Sequence, residues 1–405
     1  MMRILARVPR GGPTFVLTLA TVAAAACKGG PEALVGTITS GVTGEPLVRA
    51  VVYEAGTLNQ TVTDESGQFS LVPEGPGPQI LVQALGYQEQ NVAPGPEGAP
   101  LAIEMDALWA EDALRASAAQ QWDSDFEVDI GIPTYAGEDK PIVYIDEGHH
   151  NAHTANGRYR TFADILRQDG FHVVQFGSAF TAPALDGADV LVVATPIDGM
   201  EAGTLTTNSP YKPEEVANLH DWVESGGSLL VISDHLPIPG ALAPLLEAFE
   251  VLGDNGYAME FIDDEAVPSP IVFRSQDGSL APHPIKQGRD DTERIDSVAT
   301  FTGFAFQASE AFRPLLIFGE NAWSLQPSGW FDVSRDDPRI PVEGWYHAAA
   351  AEIGQGRIVV IGEAAMFTAQ VRGPNRFRNG LSSPEAGQNA RFLLNVMHWL
   401  EGSLH

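Results

Sequence analysis

Three apolar runs in this chain break off abruptly into ionisable residues. Pro141-Ile-Val-Tyr-Ile opens into Asp146-Glu147-Gly148-His149-His150-Asn151, Ser228-Leu-Leu-Val-Ile-Ser233 into Asp234-His235, and Arg357-Ile-Val-Val-Ile361 into Gly362-Glu363. A short run without polar alternation is a strand buried on both faces, and a parallel sheet under two layers of helices buries both. Ligands of such sheets bind beyond the carboxyl ends of the strands, where all three runs place their charges. The pattern therefore predicts an α/β fold with a crevice along one edge of its sheet.

The rest of the chain from Lys140 onward keeps to that pattern. A helix with Phe162, Ala163 and Leu166 at helical spacing stops at Gly170, and strands follow at 171–176 and 189–194. The helix after Pro213 carries Val216, Leu219, Trp222 and Val223 and ends at Gly226-Gly227, and another spans Gly240 to Phe249. Residues 255–345 are less regular, with a strand at Leu315–Phe318. A hairpin turning at Gly354-Gln355-Gly356 leads into Arg357–Ile361, and a last helix runs from Ser383-Pro384 through Trp399-Leu400.

Residues 34–105 read differently. Short strands such as Val35–Thr39, Ala50–Tyr53 and Ile80–Gln83 are separated by Gly, Pro and Asp turns, the mark of a small β-sandwich. Thr63-Asp64, Gly67-Gln68-Phe69 and Ala84-Leu85-Gly86-Tyr87 resemble the carboxypeptidase regulatory-like, or transthyretin-like, domain. That resemblance covers only this portion and implies a spacer without catalytic residues. Residues 106–139 read as a linker, with one helix around Trp109 to Gln121.

The first residues read as an export signal. Arg3, Arg7 and Arg10 precede an uncharged stretch from Pro13 to Ala26 that is too short to span a bilayer. Ala24-Ala25-Ala26-Cys27 resembles a bacterial lipoprotein cleavage box, although Ala24 stands where that box carries a larger residue. The resemblance implies a signal peptide over 1–26, a tether over 27–33 and lipidation of Cys27, with the lipid bilayer of the envelope, at the outer membrane, as partner. The same alanines fit ordinary A-x-A cleavage. Cys27 is the single cysteine, so no thiolate metal site, disulfide or cysteine nucleophile is available beyond it. The net charge of −30 argues against nucleic acid as a partner.

The domain over 140–405 resembles an uncharacterised bacterial family with a flavodoxin-like, class I glutamine amidotransferase-like fold. The residues that carry this are Asp146-Glu147-Gly148-His149, Gly226 to His235, His283-Pro284-Ile285, Gly356 to Phe367 and Asn389 to Trp399. The amidotransferase reaction needs a cysteine on a tight strand-to-helix turn, and none is present. Ser233 is the nearest hydroxyl, but Val231 and His235 stand where a nucleophile elbow has glycines.

Two readings of the crevice are open. In the first, an envelope lipoprotein whose amidotransferase-like domain lacks its nucleophile binds a small polar, saccharide-like ligand, with His150, Asn151, Arg372, Arg376 and Arg378 contributing. In the second, it is a hydrolase using Asp146, Glu147, His149, Asp234, His235 and Glu363 as acid, base or metal-activated groups. Imidazoles and carboxylates at His149, His150, Asp234 and His235, with His153 near, would suit a divalent metal. Against both stands the plain alternative that these groups tie loops together by hydrogen bonds. His283, between two prolines, reads as a turn residue.

Overall fold

A computed structural model describes residues 33–405 except 42–43, 48–49, 55–58, 74–76, 85–86, 88–89, 95–98, 107–119, 138, 198–207, 263, 268–269, 330–332, 335 and 373–376. Cys27 and Arg376 therefore lie outside the described residues, as does most of the helix expected around Trp109.

Seven strands make the N-terminal domain: β1 (Leu34–Ser40), β2 (Val51–Glu54), β3 (Gln60–Val62), β4 (Gln68–Leu71), β5 (Ile80–Gln83), β6 (Gln90–Val92) and β7 (Leu101–Met105). They form two sheets, ordered β4-β1-β7 and β3-β2-β5-β6. Alternate residues point inward, so Ile38, Val52, Phe69, Leu71, Ile80, Val82, Ile103 and Met105 fill one core while their neighbours face water. The turn before β4 is set by Asp64, whose Oδ1 accepts from the backbone N–H groups of Ser66 and Gln68, both at 2.9 Å. Gly67 completes it at φ +69°, and a Cβ there would stand 2.6 Å from the carbonyl oxygen of Ile38.

The second domain is built on β9 (Ile142–Asp146), β10 (His172–Phe176), β11 (Val190–Ala194), β12 (Ser228–Ile232) and β23 (Gly356–Ile361). These pair in parallel in the order β10-β9-β11-β12-β23. In chain order that is 2-1-3-4-5, the doubly wound arrangement whose crevice opens where the winding reverses, between the first and third strands. The sheet continues past β23 with antiparallel strands, β22 (Tyr346–Ile353), β18 (Phe306–Ala308) and β13 (Val251–Gly253), and β19 (Arg313–Ile317) also pairs with β22. The fold is thus an N-terminal β domain followed by a domain whose central sheet is parallel at its core.

Each face of the parallel strands has its own core. Val143, Ile145, Val190, Val192, Leu230, Ile232, Val359 and Ile361 pack against helices α1 (Arg160–Asp169) and α4 (Asn389–Glu401). The intervening Leu191, Val193, Leu229, Val231, Ile358 and Val360 pack against α2 (Pro213–Glu224) and α3 (Ile238–Ala248). Two buried faces are why these strands lack polar alternation.

Two stretches differ from expectation. Residues 255–345 hold β14 (Tyr257–Ile262), β15 (Glu265–Val267), β16 (Ile271–Arg274), β17 (Ser297–Thr300), β20 (Ala322–Leu325) and β21 (Arg339–Pro341) besides β18 and β19. They are three to six residues long and pair mostly with one another, so their apolar signal is thin. The segment read as a linker is built into the second domain: β8 (Gln120–Trp122) pairs with β24 (Ala369–Arg372), which pairs with β25 (Phe377–Gly380). Ile130 joins the core, and Thr134 N–H donates to Asp169 Oδ1 at 2.9 Å.

Replacing Gly67 by alanine forces a Cβ into both an unfavourable φ and the Ile38 carbonyl. We expect it to destabilise the sandwich by about 1 kcal/mol or more, read as a lowered denaturation midpoint of the N-terminal domain.

Candidate functional site at the carboxyl edge of the sheet

The loop leaving β9 folds back on itself around one imidazole. His149 Nδ1 lies 2.8 Å and 3.0 Å from the two carboxylate oxygens of Asp146, and its Nε2 lies 3.1 Å from Glu215 Oε1. All three side chains are buried, and the ring is walled by Phe180 and Tyr211, with centroids 4.3 Å and 4.9 Å away. A neutral imidazole has one N–H and would turn a lone pair on one of these carboxylates; only the imidazolium satisfies both. Burial opposes that charge, but bonding to Asp146 and then to Glu215 outweighs it, and the His149 pKa is raised. Burial likewise opposes the Glu215 carboxylate, yet the Lys212 and Phe180 amides and His149 hold its pKa below the ordinary value. Both nitrogens of His149 are thus committed, and neither is open to a metal or a substrate proton.

Other residues of the same loop also tie backbone together. Glu147 accepts from Ala155 N–H and from Gln175 Nε2, both at 2.8 Å. Asn151 accepts from His149 N–H at 3.2 Å and donates to the Ala194 carbonyl at 3.0 Å. His153 Nδ1 meets Thr195 Oγ1 at 2.6 Å; burial, with Arg158 nearby, pushes its pKa down to about 3, so the ring is neutral. His150 is exposed at φ 54°, and Thr195, buried at the end of β11, stands at φ 43°. A buried β-branched residue in the left-handed region costs about 1–3 kcal/mol, and such strain gathers at ligand sites.

A second constellation arises where β12 and β23 end. Ile232 is in register with Ile361 and Ser233 N–H bonds to the Ile361 carbonyl, which brings Asp234 and Glu363 out on neighbouring strands at the same level. Glu363 is fully buried. Its Oε2 accepts from Met366 N–H at 2.9 Å, the Phe301 and Ala365 amides also bear on the carboxyl, and its Oε1 lacks a well-formed hydrogen bond. Burial first, and then the negative charge of Asp234, raise its pKa well above the ordinary value, against the pull of nearby backbone amides. Burial and the neighbouring acid thus favour the protonated form of Glu363. Because the folded state keeps a proton that the unfolded chain loses above about 4.5, its burial costs stability that grows as pH rises. Asp234 keeps 18% of its side chain open to solvent. Tyr159, buried, donates its hydroxyl to the Ala364 carbonyl at 3.3 Å, and burial first, then the nearby acidic groups, raise its pKa well above the ordinary value.

The remaining expected residues are placed as follows. His235 donates its Nδ1–H to the Leu236 carbonyl, 2.7 Å away, stacks on Tyr257 at 4.3 Å, and keeps Nε2 3.7 Å from Asp234 Oδ1. Ser233 is buried with its hydroxyl on the Asp234 carbonyl at 3.3 Å. Arg372 ends β24 and Arg378 is an exposed residue of β25. His283 caps a one-turn helix by accepting from Ile285 N–H at 3.2 Å, and burial lowers its pKa to about 4. The three-residue donor set that comes together within 4.8 Å among the described residues is His220, Asp221 and Glu224 on the outer face of α2, with both acids exposed. His149, His150, Asp234 and His235 are not gathered in that way. Glu215, Tyr159 and Tyr211 were not singled out by sequence; Glu215 carried only the signal of an acid in a helix first turn.

Residues 34–100 match the CarboxypepD_reg-like domain family. Solved structures similar to the chain include the mmIFT52 N-terminal domain (15% identity, TM-score 0.44, covering 64% of this chain and 97% of that one). Two ThuA-like proteins follow, one from Bacteroides uniformis (12%, TM-score 0.35, 69% and 95%) and one from Parabacteroides merdae (13%, TM-score 0.35, 65% and 91%). No curated protein matches the chain. Similarity at this level assigns no chemistry.

The clamp has a pH signature. The His149 contribution is full below its ordinary value of 6.5 and is lost as pH rises through the raised value; that of Glu215 is full above 4.5 and is lost as pH falls through the lowered one. His149→Gln strands two buried carboxylates and is expected to cost about 3–5 kcal/mol near neutrality. Denaturant unfolding across pH 5–10 should show the alkaline loss in the wild type and its absence in the variant.

Proposed function

We propose that the crevice at the carboxyl edge binds a small, neutral, hydroxyl-rich ligand of the saccharide class. The observation that carries this reading is Glu363, a wholly buried acid whose Oε1 lacks a well-formed hydrogen bond and whose burial favours its protonated form, in register beside the partly open carboxylate of Asp234. A neutral acid donates a hydrogen bond and a carboxylate accepts one, so the pair suits a ligand whose hydroxyls do both. A second anion is disfavoured there, because burial and then the charge of Asp234 already oppose ionisation of Glu363. The strained backbone at Thr195 ends β11, the strand between the reversal of winding and Asp234.

The domain fits a nucleophile-less amidotransferase-like fold: the 2-1-3-4-5 order supports it, and the sequence beyond Cys27 offers no cysteine. We read the whole chain as an exported bacterial lipoprotein, in which Cys27 is acylated at the outer membrane and the β-sandwich spaces the binding domain from the bilayer. Among the described residues no helix is long and apolar enough to cross a membrane. Labelled palmitate is expected to enter the wild-type protein and not Cys27→Ser; equal labelling would remove the anchor from this account.

Hydrolysis is the second reading, favoured by the same pairing of an acid with a carboxylate. Glu363 would give its proton to the leaving oxygen while Asp234 takes one from the attacking water. One set of variants separates the two. Calorimetric titration with neutral sugars should show binding that Glu363→Gln, which retains a donor, weakens by less than about fivefold and Glu363→Ala weakens by about tenfold or more. Glucuronate should bind more weakly than glucose. Turnover of aryl glycosides by the wild type, abolished in Glu363→Gln, would transfer the assignment to a hydrolase; absence of any sugar binding would refute both.

A further inference from the structure

We propose that Trp122, Gln370 and Asn379 form a second row of saccharide contacts flanking the Asp234–Glu363 crevice, a step that rests on the saccharide reading of that crevice. The three residues come from the three strands β8, β24 and β25. Gln370 is in register with Trp122 on one side and with Asn379 on the other, and directly paired residues of antiparallel strands share a face. An indole and two carboxamides therefore stand in line across one face of this small sheet.

Both amides carry an unmet demand. Gln370 and Asn379 are 5% and 4% exposed, and neither Gln370 Oε1 nor Asn379 Oδ1 has a hydrogen-bond partner. One buried amide oxygen without a partner is unusual; two side by side on neighbouring strands mark a place that something outside the protein completes. Next to them Trp122 is 48% exposed although it is the largest side chain of the row. Its Nε1 donates to Thr161 Oγ1 at 3.3 Å, and the Arg160 guanidinium lies 4.8 Å from the ring centre.

The chemistry of the row names the ligand class. A sugar ring presents a C–H face that packs on an indole and, at its rim, hydroxyls that serve an amide oxygen. Purely apolar ligands would leave the amides unmet. Chain connectivity joins the row to the crevice: Tyr159 reaches the Ala364 carbonyl beside Glu363, and the next two residues, Arg160 and Thr161, hold Trp122. A ligand longer than one ring can thus lie across both.

The test is calorimetric titration of the full-length protein with glucose, mannose, cellotriose, maltotriose and mannotriose. At least one trisaccharide should bind more tightly than its monosaccharide. Trp122→Ala is expected to weaken the trisaccharide by about tenfold and leave the monosaccharide unchanged, while Trp122→Phe, which keeps a platform, holds most of the affinity. Gln370→Leu should weaken the trisaccharide too, and at the same time raise the melting temperature, because an amide kept for a ligand is a burden to the fold without one. Trisaccharide affinity that survives Trp122→Ala and Gln370→Leu would overturn the row and leave the crevice reading in place. A Gln370→Leu variant that melts lower and binds unchanged would make the amide a structural one and overturn it as well. No sugar binding by the wild type at all would remove both.

Discussion

Burial of the central sheet on both faces is the constraint from which the rest follows. Nothing ionisable can stand within Leu191–Val193 or Leu229–Val231, because each residue is packed under a helix on one side or the other. Polar groups carried by these strands are pushed to their ends. There the loops must still satisfy their backbone in a space closed by α1, α2 and the β22 side of the sheet. Asp234 and Glu363 thus share a level beyond the apolar strands, and Asp146 closes β9 three residues further back in the register.

What each group does there depends on its neighbours. Asp146 meets an imidazole that is itself held by Glu215, so its charge is spent on fixing a loop to the first turn of a helix. Glu363, buried away from water and beside Asp234, another acid, is biased toward its protonated form. The first arrangement is closed to ligands since every nitrogen is used. The second has an oxygen that lacks a well-formed hydrogen bond. Two acids at the ends of parallel strands have become a structural clamp and a candidate recognition group, and the imidazole that offsets burial for Asp146 has no counterpart at Glu363.

The sequence made the strands and the two cores legible, because runs such as Val190–Ala194 fit few other structures, and Asp64, Gly67 and Phe69 made the sandwich turn legible through its chemistry. It made Asp234 and Glu363 legible as strand-end residues but not as a pair. Their adjacency comes from β12 lying against β23, across an intervening stretch whose short strands carry little pattern. Glu215 was hidden because an acid in a helix first turn is ordinary. His149 was legible as a site residue, yet its commitment to two carboxylates depends on how α2 is brought to β9, which no local spacing encodes. Gln120-Gln121-Trp122 has no strand signature at all; it is a strand because β24 is there to receive it.

That pairing orders the assembly of the molecule in time. The partners of β8 are made about 250 residues after it, and loop closure over such a span is an entropic charge collected late, only when the rest of the sheet has brought the ends near. Until then the row across β8, β24 and β25 does not exist, whatever the state of the parallel strands. A chain threaded across a membrane amino terminus first would hold its sandwich complete and this small sheet open until the last helix had emerged. The face that carries Trp122 accordingly cannot form before the chain is available as far as Gly380.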